Sequence, residues 1–483
     1  MGEIKYDFGM IGLGVMGSNL LLNMADHGFA VIGYDKNRDK TDLFESSASK
    51  NNIVKGVNTL KEMINALKVP RKIMMLVPAG KPVDSVIADL SPLLEEGDII
   101  IDGGNSHYTD TLRRIDELKD KGFHFMGIGI SGGEEGARKG PSIMPGGDEE
   151  AYREVEPILK AVAAKINDVP CVSYLGHNAA GHYVKMVHNG IEYAIMQLIS
   201  ECYDLMHNGL SLSNDELHEV FSNWDSGELK SFLLEITATI FEKKDEKTKK
   251  NKYLVDMILD KAGAKGTGQW TSQEGLDLPM PIPTIDSAVM MRNLSSLIDE
   301  RNEANSLYKI SLQKIETPKE EFIKFLKDAF YFATVISYAQ GLTMLTKASR
   351  ELKMGIPLPE VISVWRGGCI IRSALLDHFK RAYQNADLKN LLLNKKIAEL
   401  LKQKEGSIQK IVSMAALNNY PLAGFMSSFN YYNAYRRNLL PTNLIQAQRD
   451  FFGAHTYQRT DEDGIFHTEW ETKPETVSPK NSD

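Results

Sequence analysis

Cysteine is scarce in this chain: Cys171, Cys202 and Cys369 are the only three in 483 residues. They lie far apart and outside any C-x-x-C pair, which argues against a disulfide framework and gives no zinc site by spacing. H-E-x-x-H is absent as well, so no metal is expected. Basic charge is not in excess. The formal net charge of −8 speaks against a nucleic-acid binder that works by neutralising phosphates. No apolar run reaches the ~18–20 residues a membrane span needs. The first residues lack the basic stretch, apolar core and small-residue cleavage site of a signal peptide. Internal repeats and low-complexity tracts are missing too. A cytoplasmic protein is therefore expected, with neither a membrane nor a nucleic acid as partner. An anionic small molecule stays compatible, because a local cluster of Lys and Arg can oppose the global sign.

What is present is an ordinary globular mixture, 42% apolar and 25% charged, with side chains for more than one core. Up to about residue 175, short apolar runs alternate with amphipathic stretches. Phe8–Ile11, Ala30–Tyr34, Ile73–Val77, Ile99–Ile101, Phe123–Ile128 and Val172–Leu175 are predicted as buried strands. Such alternation implies an α/β Rossmann-type, doubly wound, mainly parallel sheet. After His177 the pattern turns helical, with expected helices over Gly181–Met206, Asn214–Asn223, Ser231–Phe241, Ile285–Tyr308, Lys319–Arg350 and Asn390–Tyr420. The Lys-heavy run Phe241–Lys252 reads as a solvated helix end or loop. From about Pro441 the chain becomes aromatic and polar, and Lys473–Asp483 is expected to fray. The expected division is a nucleotide-binding domain (1–178), a large all-α domain (179–437) and a C-terminal tail (438–483). A tail that carries aromatics without a core of its own must bury them elsewhere, and a neighbouring subunit is the expected place.

The strand Phe8–Ile11 leads into Gly12-Leu13-Gly14-Val15-Met16-Gly17 and then a helix. This G-x-G-x-x-G serves a tight turn, close approach to a pyrophosphate and helix–strand packing, with the helix N-terminus facing the phosphates. The second strand ends in Asp35-Lys36-Asn37. An acid there normally bonds the ribose 2′-OH of NAD, whereas the Lys36 ammonium suits the 2′-phosphate of NADP. The local sequence leaves that choice open.

The run from Gly181 to Tyr193 places Lys185, His188, Asn189 and Glu192 at i, i+3, i+4 and i+7, on one helix face. Opposite lie Val184, Val187, Ile191 and Ile195. A solvated Lys–Glu ladder is the plain alternative, but His and Asn suit it poorly. The set suits alcohol oxidation, in which a base removes the hydroxyl proton as hydride leaves the same carbon. A lysine with an ordinary pKa near ~10.4 must fall to roughly 7–8 to act as that base. Desolvation and the cationic nicotinamide push it down, while Glu192 pushes it up. Two turns, Asp102-Gly103-Gly104-Asn105-Ser106 and Ser131-Gly132-Gly133, follow predicted strands and should face the same cleft. Later cations, Lys265 in Lys-Gly-Thr-Gly, Arg292, and Arg449 with His455, offer anion contacts, although none belongs to a Walker A element.

Together, in this order, these strings resemble the 6-phosphogluconate dehydrogenase family across essentially the whole chain, including Ile130–Gly147, Asp260–Thr271, Trp365–Ser373 and Gln448–Tyr457. The glycine fingerprint and Lys-x-x-x-Asn are shared with the wider β-hydroxyacid dehydrogenases. The resemblance implies oxidative decarboxylation of 6-phospho-D-gluconate to D-ribulose 5-phosphate with reduction of NAD(P), in the oxidative pentose phosphate pathway. It implies Lys185 as general base and Glu192 as proton donor to C1. Asn105, Ser131, Gly132, Gly133, His188 and Asn189 would hold the sugar acid. Tyr193, Lys265, Thr267 and Arg292, with Arg449 and His455 of a second subunit, would hold its phosphate end, which implies a homodimer with exchanged tails. Gly12–Gly17, Asp35, Lys36, Asn37, Val77, Pro78, Ala79 and Asn105 would meet the cofactor, NADP by family expectation. The chain departs from the family pattern twice. Asp35-Lys36-Asn37 replaces Asn-Arg-Thr, and Val77-Pro78-Ala79 replaces Val-Lys-Ala. Loss of the bidentate arginine keeps NAD or dual use open. An unphosphorylated hydroxy acid as substrate, and a sensor that binds without turnover, are the competing readings.

Overall fold

The structure, a computed structural model, describes residues 4–247, 252–385 and 387–470. Part of the Lys-rich run (248–251) and residues 471–483, which include the expected fraying end Lys473–Asp483, lie outside them. The chain forms two compact units, Met1–Phe429 and Asn430–Asp483.

The first unit opens with a seven-stranded sheet: β1 (Phe8–Ile11), β2 (Val31–Tyr34), β3 (Val54–Val57), β4 (Lys72–Met75), β5 (Ile99–Asp102), β6 (His124–Ser131) and β7 (Ser142–Gly147). Its order is β3-β2-β1-β4-β5-β6-β7. β1 to β6 run parallel and β7 runs antiparallel to β6. Two apolar cores, one on each face, cover it. Met10, Met74, Ile101 and Ile128 belong to one; Ile32, Ile73, Met75 and Ile100 belong to the other. Burying each such side chain contributes roughly 1.5–3 kcal/mol, which is why continuous apolar runs become central parallel strands here.

Two strands of the sheet escaped the sequence reading. β3 carries Lys55 and Gly56 at a half-exposed edge, and β7 contains Pro145 and two glycines, so neither shows strand periodicity. Conversely, Val172–Leu175 is not a strand. It makes one isolated bridge, Val172 to Ile143, because it meets only the far edge of β7.

Beyond the sheet and a two-residue hairpin (Lys165–Ile166 with Val169–Pro170), the described residues form helices and loops with isolated bridges. The helices that matter below are α1 (Val15–Asp26), α2 (Tyr108–Lys119), α3 (Gly133–Lys139), α4 (Ala180–Asp204), α5 (Thr267–Asp277), α6 (Pro283–Ser295) and α7 (Lys319–Glu351). The helix expected over Ile285–Tyr308 is two, Pro283–Ser295 and Ile298–Tyr308, interrupted at Ser296-Leu297. The helix expected over Asn390–Tyr420 begins later, at Lys395, and ends at Leu417. Residues Ala329 to Leu342 of α7 are buried on every side, and α7 packs on α4 where Gly341 admits the Ile191 side chain. Among the described residues, no helix is long and apolar enough to cross a membrane.

The placement of α4 depends on one close approach. A Cβ at Gly181 would lie 2.1 Å from the Gly127 carbonyl oxygen and 2.4 Å from that of Met144. The helix start therefore rests directly on the backbones of β6 and β7. From there α4 tracks β6: Lys185 passes over Gly129, and His188 comes up to Ser131 at the strand's carboxyl end. Gly181→Ala is expected to lower stability by about 3 kcal/mol or more, since the obstructing atoms are backbone and cannot rotate away. A thermal melt of the variant checks this, and an unchanged midpoint would contradict it.

Candidate active site

The glycine fingerprint forms the turn expected of it. Gly12 has φ +93°, a region side chains rarely adopt, and a Cβ at Gly17 would lie 2.0 Å from the Gly12 carbonyl oxygen. Gly14 is the N-cap of α1, and no side chain caps it. A Cβ there would meet nothing within 4 Å, so the N–H groups of the first turn open onto space that suits a pyrophosphate. Gly12, Gly14, Tyr34, Asp35, Lys36 and Pro78 line a cleft of about 480 Å³, with Val77 beside them. Leu13 turns its side chain away, into the core under Gly33.

Asp35 behaves differently from the simple ribose-binding expectation. Its Oδ2 accepts from the Leu13 N–H at 2.9 Å and its Oδ1 from the Asn37 N–H at 2.9 Å. The Lys40 ammonium stands 3.6 Å from it. Asn37 in turn caps the next helix by accepting from Asp39 N–H. The carboxylate thus fastens the fingerprint loop to the end of β2, and the exposed cations beside it are the amines of Lys36 and Lys40 and the guanidinium of Arg38.

At the end of β5, Asp102 holds the glycine turn together. It accepts from the Gly104 N–H (3.0 Å), the Ser106 hydroxyl (2.6 Å) and the buried Arg114 guanidinium (3.2 Å). Asn105 projects from this turn into solvent. His182, one turn ahead of the Lys185 face, is anchored with Nε2 3.1 Å from the Asp102 carbonyl oxygen and Nδ1 2.7 Å from the Thr111 hydroxyl. The sequence reading missed Asp102, Arg114 and His182 as organisers, since the contacts that join them to one another's elements, Arg114 to Asp102 and His182 to Asp102 and Thr111, span 12, 80 and 71 positions. At the end of β6, Gly132 (φ +126°) and Gly133 (φ +63°) open α3 without a side-chain cap.

The four polar residues of α4 do share one face, buried at Lys185 and His188 and part-buried at Asn189 and Glu192. Lys185 is 7% exposed and His188 not at all. Burial pushes the Lys185 amine below its ordinary pKa, against the pull of Glu192 and the Cys369 thiol. Burial, with the Lys185 charge, pushes His188 well below 6.5, so its imidazole is neutral. Its contacts fit a proton on Nδ1, which lies 3.0 Å from Asn189 Oδ1, while Nε2 lies 3.4 Å from the Ser131 hydroxyl. The Trp365 ring stands edge-on to it at 5.9 Å. Glu192 Oε2 is 3.7 Å from His188 Nδ1. Burial raises the Glu192 pKa, and Lys185 and Arg292 oppose the rise.

Farther along, Asn189 Nδ2 donates to the Thr267 hydroxyl at 2.8 Å. The Arg292 guanidinium lies 3.6 Å above the Tyr193 ring and donates to the Gly263 carbonyl oxygen. Gly266 (φ +96°) is the uncapped N-cap of α5, and Lys265 is exposed beside it. Lys185, His188, Asn189, Glu192, Tyr193, Thr267 and Arg292 therefore form one connected cluster. Arg449 and His455 lie in the second unit, where Arg449 donates to Gln446 on the helix Thr442–Gly453. Among the described residues, no three His, Cys, Asp or Glu side chains are arranged to hold a metal ion.

A dinucleotide-type sheet with a buried amine, a neutral imidazole and a part-buried carboxyl beside its carboxyl edge defines a nicotinamide-linked dehydrogenase of hydroxy acids. Comparison with known proteins narrows the class. Residues 7–176 match the NAD binding domain of 6-phosphogluconate dehydrogenase, and residues 181–470 match the 6-phosphogluconate dehydrogenase C-terminal domain. The chain is 50% identical to an NADP(+)-dependent, decarboxylating 6-phosphogluconate dehydrogenase of Bacillus subtilis, over 96% of this chain and 99% of that one. It is 47% identical to a decarboxylating 6-phosphogluconate dehydrogenase of Escherichia coli, again over 96% and 99%. The solved 6-phosphogluconate dehydrogenase of Plasmodium falciparum, studied apo, with its cofactor NADP+ and with its substrate 6-phosphogluconate, superposes with a TM-score of 0.93 at 45% identity, covering 96% of this chain and all of that one. The chain belongs to the 6-phosphogluconate dehydrogenase family.

Proposed function

We propose that the chain oxidatively decarboxylates 6-phospho-D-gluconate to D-ribulose 5-phosphate and CO2, as a cytoplasmic homodimer serving the oxidative pentose phosphate pathway. The observation that carries this is the buried, desolvated Lys185 amine on the polar face of α4, between the glycine turns and the α5 N-terminus. Lys185 Nζ takes the proton of the C3 hydroxyl. A nicotinamide cofactor held at the Gly12–Gly17 turn would supply the acceptor for the hydride that leaves C3. The resulting ammonium then donates to the new C3 carbonyl oxygen and stabilises the enolate as CO2 leaves. The electrons of the breaking C1–C2 bond move into that carbonyl, so the substrate supplies its own electron sink. Glu192, whose pKa burial raises against the pull of Lys185 and Arg292, delivers the proton to the former C2, which becomes C1 of ribulose 5-phosphate.

Asn105, Ser131, Gly132, Gly133, His188 and Asn189 hold the sugar acid. Tyr193, Lys265, Thr267 and Arg292 hold the phosphate, together with Arg449 and His455 from a neighbouring copy. The cofactor is NADP, with NAD as a working second choice. Asp35 is committed to the fingerprint loop and faces Lys40, which leaves the Lys36 amine, with the exposed Arg38 nearby in the chain, for a 2′-phosphate.

An absorbance assay at the reduced-nicotinamide band tests both halves. 6-Phosphogluconate is expected to turn over and gluconate to be poorer by at least about a hundredfold in kcat/KM, since several charge-assisted bonds to phosphate are lost. Equal rates on the two would favour a dehydrogenase of unphosphorylated hydroxy acids. NADP and NAD are expected within about a hundredfold of each other, because Lys36 stands where the family's Asn-Arg-Thr has its arginine and gives a point charge in place of a bidentate fork. A strict requirement for either one would refute the dual reading.

A further inference from the structure

α4 and α5 meet along a polar seam that extends well past the site. Thr267, Thr271 and Glu274 fall at i, i+4 and i+7 on α5, on one face. Each meets a residue of α4 spaced three apart in the opposite sense. Asn189 Nδ2 donates to Thr267 Oγ1 (2.8 Å), the Thr271 hydroxyl donates to the Met186 carbonyl oxygen (2.8 Å), and the Tyr183 hydroxyl donates to Glu274 Oε1 (3.2 Å). The helices touch closely enough that a Cβ at Gly190 would lie 2.6 Å from Thr271 Cγ2, and one at Gly268 2.4 Å from the Tyr193 ring.

The last rung differs from the others, because it reaches a third element. The second Glu274 oxygen, Oε2, accepts from the Tyr108 hydroxyl at 2.6 Å. Tyr108 is the first residue of α2, which follows the Asn105 turn. The carboxylate is 5% exposed and Tyr183 fully buried. The two tyrosine rings meet edge to face at 4.9 Å, and His107 stacks on Tyr108 while standing edge-on to Trp270 of α5. One buried carboxylate thus pins the far end of α5 both to the catalytic helix and to the element carrying the cofactor-side turn.

We propose that Glu274 is a positioning residue for substrate selectivity: it fixes the bearing of α5, and with it the place of Lys265 and Thr267 against the substrate's phosphate. A short helix held at both ends cannot pivot. Freed at Glu274, it keeps only the Thr267 and Thr271 bonds to α4, and its bearing shifts, displacing Lys265 and Thr267 relative to the phosphate. The carboxyl-bearing end of the substrate, held by β5, β6 and α4, is left as it was. This rests on the reading of the Lys265 loop as the seat of the phosphate.

The test measures kcat/KM for 6-phosphogluconate and for gluconate in Glu274→Leu, Glu274→Gln and Tyr108→Phe, with Lys265→Ala as reference. Glu274→Leu is expected to lower the preference for the phosphorylated substrate about tenfold or more, through its KM, because small misplacements of a binding group cost that much. The KM for cofactor and the rate on gluconate should hold. Glu274→Gln, which keeps an acceptor for the tyrosines, should restore most of the preference. Tyr108→Phe should lower it in the same direction. An unchanged preference in both Glu274→Leu and Tyr108→Phe overturns the proposal, as does an equal loss on both substrates. Should Glu274→Leu not fold, Tyr108→Phe alone decides in the same way. If Lys265→Ala also leaves the preference intact, the phosphate-site reading itself falls; if it abolishes the preference while the Glu274 and Tyr108 variants do not, only the role of Glu274 falls.

Discussion

Lys185→Met is expected to lower kcat by at least the ~10²–10⁴ attributable to a positioned general base, while leaving cofactor binding intact. The reason is local: methionine fills the same dry slot over Gly129 but cannot take a proton. The pH profile gives a second signature. Burial lowers the Lys185 pKa, so the neutral amine is present to a lower pH than for an exposed lysine. Wild-type activity should fall on the acid side as that amine gains its proton, and on the alkaline side as Glu192, whose pKa is raised, loses its own. The residual activity of the methionine variant should lack the acid limb.

Stability moves the other way. A lysine whose folded pKa is depressed binds fewer protons folded than unfolded, so below the unfolded value near ~10.4 it destabilises the fold, increasingly as pH falls to the folded value. Lys185→Met should therefore melt at a higher temperature than the wild type at neutral pH. Initial rates by nicotinamide absorbance and a thermal melt measure both effects. Near-normal turnover in a well-folded variant would remove Lys185 from the chemistry.

A chain ending at Ile445 is expected to lose all measurable turnover of 6-phosphogluconate and to dimerise more weakly. The removed segment contains Arg449 and His455. It also exposes apolar side chains that it does not bury within itself: Phe451 is 54% exposed, Phe452 72% and Ile465 74%. Its own organisation is polar and centres on Asp450. That fully buried carboxylate accepts from the His467 ring (2.8 Å), the Trp470 indole (2.9 Å) and the backbone N–H groups of Thr456 and Thr468 (2.9 and 3.0 Å). These bonds hold the 449–455 segment in shape, while so short a unit has too little core to stand alone.

Coexpression separates completion of a neighbour's site from completion of the same chain's site. Full-length Lys185→Met carries the tail without the base, and the truncated chain carries the base without the tail. If tails are exchanged, mixed dimers regain turnover. Light scattering and the rate assay of the mixture report the outcome. A fully active truncated monomer, or a mixture as inactive as its components, would end the exchange model.

The parts legible in the sequence are those whose information is local. The fingerprint Gly12–Gly17 could be read because a strand, a turn and a helix start follow one another within a few residues. The shared face of Lys185, His188, Asn189 and Glu192 followed from helical spacing alone. What escaped is non-local. β7 hides behind Pro145 and its glycines, since its pairing is set by β6 and not by its own composition. Asp35 reads as a ribose ligand until Leu13, 22 positions away, is seen to donate to it. Glu274 is unremarkable in sequence, for its partners Tyr183 and Tyr108 are 91 and 166 positions distant.

By itself, then, the sequence determined that a nucleotide-binding sheet precedes a helix with an amine, an imidazole, an amide and a carboxyl on one side. Spacing along a helix settles direction, and short glycine strings settle turns. Only the tertiary structure decided that Lys185 and His188 on this side are buried, that Lys185 is held below its ordinary pKa, and that Asp35 serves the loop. Desolvation and buried hydrogen bonds come from elements far apart in the chain, and they exist only once α4 lies against the glycines of β6 and β7.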